Sequence, residues 1–101
     1  MQIKIIMSWD IKPGRSEEYF EFVVRDFAPS FQRIGWQMTE AWLTAYGERP
    51  QIMVGAMADN LPQMKRMLGS EEWKELHTKL LQYVNNYSEK VIRATPFFPL
   101  I

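Results

Sequence analysis

Apolar and polar positions alternate almost from the first residue. Ile3, Ile5, Met7, Trp9 and Ile11 are apolar, and between them stand Lys4, Ile6, Ser8 and Asp10. A period of two predicts a strand with one apolar and one mixed face, central in its sheet and covered unequally on its two sides. Pro13-Gly14 then predicts a tight turn, because proline presets φ and glycine accepts a positive φ. From there the period becomes helical over residues 15–34. Tyr19, Phe20, Val23, Val24, Phe27, Phe31 and Ile34 fall on one arc, with Glu17, Glu18, Glu21, Arg25 and Asp26 mostly outside it. Pro29 cannot donate to a helix and disfavours helical backbone at Ala28, which predicts a kink or break there. Phe22 lies off the arc, as a surface aromatic or an interface contact.

Gly35 ends this helix, and residues 36–46 (WQMTEAWLTAY) read as a second strand. One face carries Trp36, Met38, Glu40, Trp42, Thr44 and Tyr46. Residues 47–50 form a hairpin loop by composition, and residues 51–58 alternate as a third strand. Asp59-Asn60 can cap a short helix through Leu68, and Ser70 can cap a longer one with Glu71 and Glu72 at its positive end. That longer helix has the stripe Trp73, Leu76, His77, Leu80, Val84 and Tyr87. A last strand over about 90–95 precedes the tail PFFPLI, read as a strap over a neighbouring surface.

The predicted order is β-α-β-β-α-β over residues 1–101 as a single domain. Its economical closure is an α+β, ferredoxin-like four-stranded antiparallel sheet with the first strand in the middle and both helices on one face. Two helices cannot cover both faces. The second face would then offer some combination of Trp36, Met38, Trp42, Met53 and Met57 to water, a patch that predicts a homodimer joined through the sheet face. The alternative is a monomer with a wet, methionine-rich face.

Composition narrows the function classes. The chain of 101 residues has zero formal net charge and no cysteine. Neutrality without a run of Lys or Arg argues against nucleic acid and anionic membranes, and the missing cysteine removes disulfide and thiolate chemistry. The apolar runs are too short to span a bilayer and no signal-peptide pattern opens the chain, so a cytoplasmic location is the default expectation. One histidine with scattered carboxylates shows no metal-ligand spacing, and Met53, Met57, Met64 and Met67 read as adaptable packing.

With these elements in order, the chain resembles the dimeric α+β barrel superfamily, which includes antibiotic-biosynthesis-type monooxygenases, heme-degrading monooxygenases, chlorite-dismutase-like proteins and NIPSNAP-like proteins. The resemblance rests on the opening strand followed by KPGRSEEYFEF, on FAPSFQRIG, and on SEEWKELHTKL ahead of VIRAT. It implies two ferredoxin-like protomers joined sheet to sheet, with ligands held between helices and sheet. In the heme-degrading branch it implies a catalytic His, matched here by His77 in KELHTKL, with a Trp upstream and an Asn from the first strand. Trp73 stands only one turn before His77, and the first strand has no Asn. The constellation is incomplete, which makes heme the third reading; no other cofactor is expected.

Two residues are candidate catalysts. His77 lies on or beside the apolar stripe, where an imidazole suits a general base, a proton shuttle or an axial ligand; the alternative is a core-edge ring bonded to a backbone carbonyl. Glu40, amid Trp36, Met38 and Trp42, is a candidate base, or else pairs with Lys4 or Arg93. Parity places the two on opposite sheet faces. Trp9, Tyr19 and Trp73 are candidate ligand walls around His77, with Trp42 beside Glu40 a further one, although such aromatics also make ordinary core. The leading expectation is a homodimer binding a small, largely apolar organic molecule, as a cofactor-independent monooxygenase or isomerase. Its rival is a non-catalytic sensor or accessory dimer filled by its own side chains.

Overall fold

The computed structural model describes residues 2–43 and 51–93. The predicted loop at 47–50, the end of the second strand and the tail at 96–101 lie outside the described residues. Strand β1 (Ile3–Ile11) is followed by one helical run made of α1 (Ser16–Phe22), a π-helical turn at Val23–Phe27, and α2 (Ala28–Ile34). Then come β2 (Gln37–Leu43), β3 (Ile52–Ala58), α3 (Leu61–Leu68), α4 (Glu71–Leu80) and β4 (Val84–Arg93). The sheet is four-stranded in the order β2-β3-β1-β4, and each neighbouring pair runs antiparallel. This is the βαββαβ, ferredoxin-like α+β fold expected from the pattern.

Local chemistry explains the element ends. Gly14 takes φ +80° after Pro13, and the Arg15 N–H donates to the Lys12 carbonyl at 3.0 Å, closing the turn between β1 and α1. Asn60 caps α3 by accepting from the Gln63 N–H at 2.9 Å, while the Gln63 side chain accepts from the N–H of Asp59, the residue before the cap, at 2.6 Å. Ser70 caps α4 by accepting from the Trp73 N–H at 3.2 Å.

Three expectations are corrected. Ala28 keeps helical angles (φ −63°, ψ −46°), so the run does not break at Pro29. The irregularity sits one turn earlier, where the π turn accommodates the donor that Pro29 lacks and the crowding its ring brings to the preceding turn. The wider turn also rotates the face: Phe22 is buried, stacked on Tyr83 at 5.0 Å and tilted against Phe27 at 6.1 Å, whereas Phe20 and Val24 are exposed, Val24 at 73%. Next, Val84 and Tyr87 belong to β4 and not to a helix. Pairing with β1 over Ile3–Ile11 overrides their helical spacing.

The third correction concerns Trp36. It precedes β2 and is buried against Phe31 (4.7 Å) and Trp73 (4.6 Å), not displayed on the open sheet face. Register explains the change. Met38 pairs Ala56 and Glu40 pairs Gly55, so Thr39 is one extra residue in β2 and reverses the parity beyond it. A second bulge sets Trp9 against Asn86 and Tyr87 of β4, with Asn86 at φ +57°. The odd residues of β1 are buried with Ile52, Val54, Ala56 and Ala58 in the core beneath the helices. The even residues share the opposite, open face with Met53, Gly55, Met57, Glu40 and Trp42.

Candidate functional site

His77 stands on α4, whose register puts it one turn after Trp73. The two rings lie 5.5 Å apart, and the His77 ring meets the Tyr87 ring edge-on at 4.5 Å. Tyr87 in turn stacks on Trp9 at 5.9 Å with nearly parallel planes, and the Trp9 indole N–H donates to the Tyr19 hydroxyl at 3.0 Å. Trp73 thus touches His77 directly, Trp9 reaches it through Tyr87, and Tyr19 lies one step further, behind Trp9. All three are buried; Trp9 and Trp73 are in ring contact with the core residues Phe27 and Trp36, while Tyr19 meets the exposed ring of Phe20.

The unusual atom in this cluster is His77 Nε2, which is buried and has no hydrogen-bond partner. Buried polar atoms are ordinarily paired, so an orphan on a titratable ring at the edge of an aromatic wall is a point where a ligand could be recognised. Opposite it, the Tyr87 hydroxyl donates to Glu89 Oε1 at 2.8 Å. Burial, then that bond and the Glu89 charge, push the Tyr87 phenol far above its ordinary value, so it stays a neutral donor. Tyr19 is also raised by burial, with the Trp9 bond opposing the shift. Tyr87 is the member of this cluster that the sequence reading missed as a site residue. The signal for it was Asn85-Asn86, two poor helix formers that separate Val84 from Tyr87.

Glu40 and Trp42 are not part of this cluster. Both lie on the open face of the sheet, where Glu40 pairs with Lys4 across β3 and Trp42 is 59% exposed. The residues around His77 do not fit a heme. A porphyrin needs a free plane beside its axial imidazole, and the flat faces of Trp9 and Tyr87 are stacked on each other. Among the described residues no three His, Asp or Glu side chains gather as a metal site, and no helix is long and apolar enough to cross a membrane.

No protein-family model and no curated protein matches the sequence. Solved structures do match along the full chain. A NIPSNAP family protein from Agrobacterium tumefaciens is 17% identical with a TM-score of 0.71, covering 100% of both chains. A NIPSNAP-like domain protein from Burkholderia xenovorans is 18% identical with a TM-score of 0.73, covering 99% of this chain and 90% of the other. A mutant of SnoaB, a cofactor-independent oxygenase from Streptomyces nogalater, is 15% identical with a TM-score of 0.67, covering 98% of each. Likeness at this identity speaks to architecture. The chain thus has a ferredoxin-like α+β fold, the architecture it shares with these NIPSNAP and oxygenase structures.

Proposed function

We propose that this chain acts as a homodimer, joined through its open sheet face, that binds a small, largely apolar organic molecule beside His77 and transforms it without a dedicated cofactor, as a monooxygenase or isomerase. The observation that carries this reading is the buried, unpartnered Nε2 of His77 between Trp73 and Tyr87. In its neutral form that nitrogen can accept a proton from an acidic C–H or O–H of the ligand, and the aromatic rings beside it favour a flat apolar body. Kinship in fold to a cofactor-independent oxygenase supports the same class of chemistry. Glu40, on the other face, takes no part in it.

Native mass spectrometry of the gently purified chain tests the reading. A dimer carrying a reproducible small-molecule adduct, lost in His77→Ala while circular dichroism stays unchanged, is the expected result. A second reading, a non-catalytic sensor or accessory dimer, is favoured by the mutual packing of Trp9, Tyr19, Phe27 and Tyr87. An adduct-free dimer whose His77→Ala form loses stability favours that second reading, because His77 then serves packing alone.

A further inference from the structure

The open sheet face carries a charge pair amid its apolar side chains. Lys4 Nζ on β1 reaches Glu40 Oε1 on β2 across the intervening strand β3, and the two side chains are only 12% and 25% exposed. What lets them meet is Gly55. A Cβ there would lie 2.5 Å from Glu40 Oε1 and 3.0 Å from both Lys4 Cε and Thr39 Oγ1, so the pair rests on bare backbone. The register surrounds it with Ile6 beside Gly55, Met57 at one end, and Met53 opposite Trp42 at the other.

Covering such a pair with an apolar surface would strip both charges of water and return nothing beyond the attraction they already have. A partner that fits must present a carboxylate toward the ammonium and an ammonium toward the carboxylate. A second copy turned about a two-fold axis that lies in the interface and crosses the pair at right angles does so, because it brings the same pair at the same separation in the reverse order. Resting on the homodimer proposed above, we infer that the Lys4–Glu40 pairs of the two protomers meet across the interface as a ring of four alternating charges. This ring sets which sheet register the dimer accepts. The apolar side chains around it supply the affinity, and the charges supply the selectivity.

Charge reversal tests this. Lys4→Glu leaves two carboxylates on the face and Glu40→Lys leaves two ammonium groups, each with the backbone unchanged. The chains are compared by native mass spectrometry at concentrations where the wild type is dimeric, with far-UV circular dichroism to check the fold. Each single variant should lose its homodimer, and an equimolar mixture of the two should recover a heterodimer. If the single variants dimerise like the wild type, or if folded variants stay monomeric when mixed, the charge ring is overturned while the dimer stands. Should either single variant fail to fold, the swapped Lys4→Glu/Glu40→Lys, which keeps one ammonium and one carboxylate over Gly55, decides: the charge ring predicts that it dimerises with itself but not with the wild type, and free mixing with the wild type overturns it. A wild-type chain that is monomeric at every concentration overturns the underlying homodimer itself.

Discussion

Trp9 and Tyr19 depend on one bond for their burial. Tyr19→Phe leaves the ring in place but strands the Trp9 indole N–H in the core, and it should cost about 1–3 kcal/mol, measured by urea unfolding. The phenols add a dependence on pH. Burial holds the protons of Tyr19 and Tyr87 more tightly in the folded chain than in the unfolded one, where each leaves near 10. Their contribution to stability is therefore complete below about pH 10 and falls as pH rises beyond it, towards the folded values. Tyr87→Phe should flatten the alkaline side of a stability-against-pH curve. Gly55→Ala crowds the ends of flexible side chains and not backbone, so it should keep the fold at a cost of about 1 kcal/mol. In a Glu40→Ala background that cost should shrink, a coupling that a double-mutant cycle reads.

At the scale of elements, what the sequence showed and what it hid divide along a physical line. Caps and turns were legible at Pro13-Gly14, Asn60 and Ser70, because the chemistry lies in the residue itself. Strand and helix faces were legible as long as the period ran unbroken. Phe22 and Trp36 were misplaced because each lies next to a one-residue insertion, the π turn in one case and the Thr39 bulge in the other. Periodicity carries no mark of an inserted residue. The candidate site followed the same rule: the placement of His77 one turn after Trp73 follows from helical spacing, while Tyr87 was hidden because pairing with β1 extends β4 back to Val84. Deleting Val24 from the π turn should leave a regular helix with Phe22 and Phe27 still on one face. The variant should fold, by circular dichroism and thermal melting. Deleting the equally solvent-facing Lys74 from α4 shifts Trp73 against Leu76 and should unfold the chain.

For the whole molecule, the proposed dimer makes stability a function of concentration. The melting temperature of the wild-type chain should rise as protein concentration rises. Trp42→Ser removes an exposed ring from the open face, and it should shift the association equilibrium towards monomer by dilution in native mass spectrometry while leaving the protomer folded. The inner place of β1, the one-sided helices and Trp42, Met53 and Met57 on the open face were legible in the pattern, because they follow from counting faces to be covered. The Lys4–Glu40 pair was legible only as one of two partners for Glu40; geometry at Gly55 decides between them.

The two bulges have a consequence for how the chain avoids its neighbours. Thr39 lies in β2 and Asn86 in β4, and these are the two outer strands of the sheet. An inserted residue twists an edge and interrupts its row of hydrogen-bonding groups, so a stray strand meets a template out of step with itself. Growth of the sheet sideways into fibres is thus discouraged at both margins. What remains open to a companion chain is the broad face between them.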